Sequence, residues 1–247
     1  MSDSGQHPAF TVRSESPGSD TLLCGFSEFG LAGLTAVDYL VKQLDLEQVG
    51  HVTVDRLPTI TPFENGTPRH HSRLFTRDDL DVTVLVGELL VPPFAADAFA
   101  SELVDRSAAA DTEEIVILSG VPVAHGPDEH RAFHVSSPDY QAAHDLAEHG
   151  IEGMVGGYLD GINGAITARG LDSTLRTCVF TTPAHARTPD AEAALRLIGA
   201  VESVYGFGID TAPLEGFAAD VSRHYEELAE RIAEAAEESV AEDRMYM

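Results

Sequence analysis

Few residues in this chain have types and spacings that could support a defined chemistry. His70 and His71 are adjacent, and His125, His130 and His134 are spread through HGPDEHRAFH. Metal ions need ligands that converge from suitable spacings, and no Cys-x-x-Cys or His-Glu-x-x-His is present. These histidines are therefore expected in exposed loops, without a metal. Ser119 follows the apolar run EIVIL, at the strand edge where α/β enzymes often place catalytic groups. ILSGVP, however, lacks the Gly-x-Ser-x-Gly elbow that exposes a nucleophile. Ser119 is expected in a structural turn. Cys24 and Cys178 both lie in apolar runs and read as inert core thiols. Two such cysteines exclude a disulfide framework and fit a reducing cytoplasm. Carboxylates are too abundant to single out an acid–base pair. No catalytic, cofactor-binding or metal-binding residue is assigned.

Gly25, Gly30 and Gly33 lie between a strand and a helix in CGFSEFGLAGLTAVDYL. Glycines there could let a phosphate approach a helix N-terminus. The spacing is G-x4-G-x2-G, no Gly-Lys-Ser/Thr follows, and Glu28 would face the incoming anion. A tight strand-to-helix turn with close packing is the simpler reading, and a ligand crevice the other.

The end of the chain is chemically distinct. Residues 226–247 carry eight acids and two arginines, then close on Met245, Tyr246 and Met247. Val221, Tyr225, Leu228, Ile232 and Ala235 form a stripe stepping by four and three, which fades beyond Ala236. Glu238 and Glu242 repel one turn apart. Two methionines and an aromatic on an acidic stalk have little to bury against, but they suit docking in an apolar pocket with a cation.

The elements that must position these groups follow from periodicity. Strands are expected at Thr21–Gly25, His51–Leu57, Asp81–Val86, Glu114–Leu118 and Leu175–Thr181. Helices are expected at Gly30–Leu44, Pro93–Ala110, Pro138–His149 with Ser137 as N-cap, Asp190–Tyr205, and Pro213 to about Glu242. Pro58–His71 reads as a loop. The glycine-dense stretch Gly150–Gly170 reads as tight turns rather than one long element. Alternating strands and helices imply an α/β fold, a mostly parallel sheet flanked by helices, ending in a long C-terminal helix and tail. The expected organisation is a mobile segment 1–20, an α/β domain 21–225 and an acidic helical tail 226–247.

Composition narrows the partners. Of 247 residues 43% are hydrophobic, enough for a core. The charge is −26, from 15 basic and 41 acidic residues, and Lys42 is the only lysine. A nucleic-acid partner is not expected, because few bases are available to displace phosphate counterions. Membrane insertion is not expected either, since no apolar run reaches the ~20 residues that span a bilayer. MSDSGQHPAF has no basic start or apolar stretch, so no secretion signal is expected. Self-repulsion at this charge is screened in molar salt, where the Debye length falls to ~3 Å. A halophilic, salt-rich cytoplasm is the expected setting; an acidic surface made for a basic partner is the other reading.

Four segments taken together resemble a known family: LLCGFSEFGLAGLTAVDYLVKQL, DVTVLVGEL, EEIVILSGVPV and GIEGMVGGYLDGINGAITARGLDSTLRTCVFTT. They look like the proteasome assembly chaperones in their archaeal form, over about residues 21–225. The resemblance implies a nucleoside-phosphorylase-like α/β shape, self-association into a homo-oligomer, and no catalysis. It also implies an ATP-independent chaperone or adaptor that binds proteasome α subunits through a hydrophobic–Tyr–any-residue ending. Met245, Tyr246 and Met247 match that ending position by position. The alternative is a small-molecule enzyme acting on nucleosides or sugar phosphates, with a crevice near Gly25–Gly33 and Ser119.

Overall fold

The structure, a computed structural model, describes residues 8–15, 18–123, 130–185, 189–221 and 223. It comprises two units, residues 1–209 and 210–247.

The first unit is built on a nine-stranded sheet. Its strands are β1 (Ala9–Ser14), β2 (Thr21–Phe26), β3 (Glu47–Asp55), β6 (Ser72–Arg77), β7 (Leu80–Gly87), β8 (Glu114–Val121), β9 (Phe133–Ser136), β10 (Glu152–Gly153) and β11 (Arg176–Pro183). A separate two-residue hairpin, β4 (Phe63–Glu64) with β5 (Thr67–Pro68), decorates the link from β3 to β6. The sheet order is β1-β3-β6-β7-β2-β8-β11-β9-β10. The centre, β7-β2-β8-β11, is parallel, with Gly25 beside Leu118 and Ser119 beside Thr181. The β1-β3-β6-β7 wing is antiparallel, and so is the β9–β11 pair. The sheet is thus mixed rather than mostly parallel. The cause is hairpin-type connectivity around β6, a strand hidden in SRLFTR.

Helices cover both faces. They are α1 (Ala32–Gln43), α2 (Pro93–Ala109), α3 (Pro138–Ala143), α4 (Gly161–Leu171) and α5 (Ala191–Tyr205). Side chains of a strand alternate between faces. Leu22, Cys24, Phe26, Ile115 and Ile117 share a core with Phe99 and Leu103 of α2 and Ile162 and Ile166 of α4. Phe99 meets Phe10 and Phe26 edge-on, with ring centroids 5.1 and 5.7 Å apart. The opposite face receives α1 and α5, which pack on each other. Fully buried Leu, Ile and Val side chains are each worth ~1.5–3 kcal/mol, so this double burial dominates the stability of the unit.

Several expectations are corrected. Ala9–Ser14, inside the segment read as mobile, is an edge strand paired with β3, and Glu102 Oε1 accepts a 2.8 Å hydrogen bond from the Val12 N–H. The glycine-dense stretch contains the regular helix α4. Gly170 fits there because a Cβ would come within 2.2 Å of Thr177 Cγ2, so packing outweighs helix propensity. Helix α3 stops at Ala143, not His149, since His144 turns extended (φ −124°, ψ 112°). Ser137 does not cap it by side chain; its Oγ instead accepts the Thr177 N–H at 3.1 Å.

In the second unit residues 212–221 and 223 are helical. The Ala212 N–H donates to Asp210 Oδ1 at 3.0 Å, and the Thr211 hydroxyl to Glu215 at 2.7 Å. The remainder of the expected final helix lies outside the described residues.

Candidate functional site

The β2–α1 turn reaches the carboxyl edge of the parallel strands. There Gly33 crosses β8 so closely that a Cβ would lie 1.8 Å from the Leu118 carbonyl oxygen, and one on Gly25 would lie 2.2 Å from the Gly33 oxygen. These glycines serve strand–helix packing, as the simpler reading had it. Gly30 adopts φ 64° and its carbonyl accepts the Asp190 N–H at 2.8 Å, which ties this turn to the start of α5. Asp190 is the α5 N-cap, accepting the Ala193 N–H at 2.9 Å.

This packing brings three polar side chains from distant segments together. Asn163 Nδ2, on the first turn of α4, donates to Glu28 Oε2 at 2.5 Å and to Ser119 Oγ at 2.9 Å. Ser119 Oγ donates to the same Glu28 oxygen at 3.3 Å. Ser119 and Asn163 are buried at 5% and 6% exposure, and Glu28 is partly buried. Burial pushes the Glu28 carboxyl above its usual range; Asn163 and Ser119 pull it down, and Asp160 adds to the rise. Asn163 Oδ1 is buried without a hydrogen-bond partner, and an unmet acceptor of this kind costs ~1–3 kcal/mol. Glu28 Oε1 accepts no hydrogen bond from the described residues. The partners in this cluster are a carboxylate, a hydroxyl and an amide, with no cation among them. Sequence reasoning placed Ser119 at this edge and noticed Glu28, but missed Asn163. Its only trace was an Asn in a glycine-rich run.

A second polar hub lies at the opposite, amino edge. Glu114, with its side chain 3% exposed, accepts from Thr21 Oγ1 (3.1 Å), Tyr205 OH (2.7 Å) and Arg176 Nε (3.1 Å), and pairs with His144 Nε2 (2.9 Å). Burial alone would raise its carboxyl, yet Tyr205, His144 and Arg176 together hold it below the usual range. Protein groups engage both of its oxygens, Thr21 and Tyr205 on Oε1 and His144 and Arg176 on Oε2, a structural arrangement.

The histidines divide. His71 is buried, contrary to the exposed-loop expectation, with Nδ1 2.9 Å from Ser72 Oγ. His70 stacks on His51, with centroids 3.7 Å apart and planes 3° apart. His70 and His71 line a cleft of about 390 Å³ with Arg69, Thr53, Thr59 and Thr61. Arg69 pairs with Glu88 at 2.7 and 3.1 Å, and Arg73 reaches the same carboxylate at 3.3 Å. His134 sits on β9, 2.8 Å from Ser136 Oγ, and His130 is exposed. His125 lies outside the described residues. Among the described residues no group of histidine, cysteine or carboxylate side chains is placed to hold a metal. Both cysteines are buried and free, and burial pushes both thiols up, so neither is poised as a nucleophile. Met245, Tyr246 and Met247 lie outside the described residues. No helix among the described residues is long and apolar enough to cross a membrane.

Several exposed apolar side chains follow strand ends on the carboxyl side of the sheet. Phe29 follows β2, Leu90 and Phe94 follow β7, Val123 follows β8, and Ile60 and Phe63 lie in the β3–β6 connection.

The architecture is shared widely. Pyrococcus furiosus PbaA, described as an archaeal homolog of proteasome-assembly chaperone, is 18% identical and superposes with a TM-score of 0.82, covering 97% of this chain and 100% of its own. Pyrococcus furiosus PbaB, described as an archaeal proteasome activator, is also 18% identical, with a TM-score of 0.74 over 91% of this chain and 99% of its own. At that identity these likenesses establish the fold. An uncharacterized protein of Methanocaldococcus jannaschii is 22% identical over 222 residues, 90% of each chain. The profile of the PAC2 family matches residues 22–229, most of the length, and on that match the chain belongs to the PAC2 family.

Proposed function

We propose that this protein is an ATP-independent chaperone or adaptor of proteasome assembly. It docks Met245, Tyr246 and Met247 on the α subunits of the proteasome core particle and catalyses no reaction itself. Family membership over residues 22–229 carries this reading. The shared fold with PbaA and the Met-Tyr-Met ending support it. The chain acts as a homo-oligomer in a salt-rich archaeal cytoplasm. A three-residue ending buries little area and binds weakly alone, whereas several copies facing equivalent pockets gain from effective concentration. Several large apolar side chains exposed after the strand ends, Phe94 at 70% among them, are consistent with such association.

Deleting Tyr246 and Met247, or making Tyr246→Ala, should abolish co-purification with the core particle while thermal unfolding and oligomer mass stay unchanged. Persistent binding by both variants would reject docking through the tail. The rival reading, an enzyme for nucleosides or sugar phosphates, draws on the Glu28–Ser119–Asn163 cluster. Among the described residues the cluster's partners include no cation, which disfavours a phosphate there.

A further inference from the structure

The cluster at the carboxyl edge has a binding chemistry of its own, whatever the tail does. Three side chains from the β2–α1 turn, the end of β8 and the first turn of α4 converge there. One oxygen of Glu28 is held by Asn163 and Ser119. The other, Oε1, has no partner among the described residues, and its neighbour at 3.7 Å is the position a Cβ would take on Gly161. The second observation is Asn163 Oδ1, a fully buried acceptor left unpartnered on the same amide that grips Glu28. Asp160 adds negative charge beside them. The site therefore offers acceptors and negative charge, and its own donors are already engaged. A half-buried carboxylate with no counter-ion among the described residues is satisfied best by a ligand bringing positive charge and N–H donors. A phosphate or carboxylate ligand would be repelled.

We propose that Glu28, held by Ser119 and Asn163, binds the cationic head of a small amine or guanidinium compound through Oε1. Ser119 is a positioning residue that fixes the carboxylate; Asn163 fixes it through Nδ2 and leaves Oδ1 as a second acceptor for the ligand's N–H groups.

Agmatine, which carries both a guanidinium and a primary ammonium, is a suitable probe. Titration calorimetry on the full chain in about 1 M KCl screens diffuse attraction to the acidic surface. The expected result is saturable binding at one site per chain, with Kd of about 1 mM or tighter. Glu28→Gln, which preserves shape and an acceptor for Asn163, should weaken it at least about tenfold. Glu152→Gln, removing an exposed carboxylate that pairs with Arg131, should leave it unchanged. If Glu28→Gln fails to fold, Asp160→Asn replaces it and should weaken binding several-fold. Absence of saturable heat in the wild type would overturn the proposal. So would equal loss in Glu152→Gln, unchanged affinity in the Glu28 variant, or preferential binding of ribose or inorganic phosphate.

Discussion

The Tyr205 hydroxyl at the end of α5 donates a 2.7 Å hydrogen bond to Glu114 at the start of β8, 91 residues away in sequence. Tyr140 extends the contact, its hydroxyl 3.0 Å from that of Tyr205. Burial pushes both phenols far up, so neither ionises in any ordinary range. Glu114 thus joins α5, β2, β11 and the end of α3 at one buried carboxylate.

Replacing Glu114 by alanine strands the Arg176, Tyr205 and His144 groups it serves. Breaking a buried charged network from one side costs ~3–5 kcal/mol, which urea unfolding will register as a lower midpoint at unchanged slope. The pH dependence has a fixed sign. The folded carboxyl is held below the ordinary 4.5, so its stabilisation is complete above that value and is lost as pH falls through the folded one. Melting curves of Glu114→Gln should show a shallower loss than wild type below about pH 4.5.

Gly33→Ala tests the packing reading of the glycine pattern. Its Cβ would meet a backbone oxygen 1.8 Å away, and backbone cannot step aside as a flexible side chain does. A loss above about 4 kcal/mol is expected, seen as insoluble or unfolded protein in expression and circular dichroism. Gly66→Ala, where a Cβ meets nothing within 4 Å but φ is +78°, should cost only about 1 kcal/mol.

Acid should loosen the β3–β6 connection. Burial, His70 and Arg13 hold His51 below the ordinary 6.5; burial, His70 and His51 do the same for His71. Their contribution is present above pH 6.5 and lost as pH falls through the lowered values. Exchange protection factors across residues 58–71, corrected for the intrinsic pH dependence, should fall as pH drops below about 6.5, and His71→Gln should flatten that response.

Salt tests the reading of the −26 charge. Raising KCl from about 0.1 to 1 M shortens the Debye length from about 10 to 3 Å and relieves self-repulsion. The melting temperature should climb over that range. A flat or falling curve would favour an acidic surface made for a basic partner.

Much of the central sheet was legible in the residues themselves. TLLCG, DVTVLV, EIVIL and LRTCVFT are short apolar runs that suit a strand buried on both faces, and the periodic stripes of α1 and α5 named their helices. The glycine spacing after β2 foretold a close crossing, because no other residue removes the Cβ. Less regular elements escaped. SRLFTR has no clean alternation, since β6 is buried along most of its length between neighbours contributed from elsewhere. Helix α4 carries glycines that local propensity disfavours, and only its packing against α2 and β11 makes it regular. The candidate site shows the same division. Position along the chain placed Ser119 at a strand edge and Glu28 in the glycine turn, but nothing local distinguishes Asn163 in a glycine-rich run. Their meeting required α4 to return over the sheet and lay its first turn against the β2–α1 turn. Hydrogen bonds between residues 91 and 135 positions apart are products of topology, which composition and periodicity do not encode.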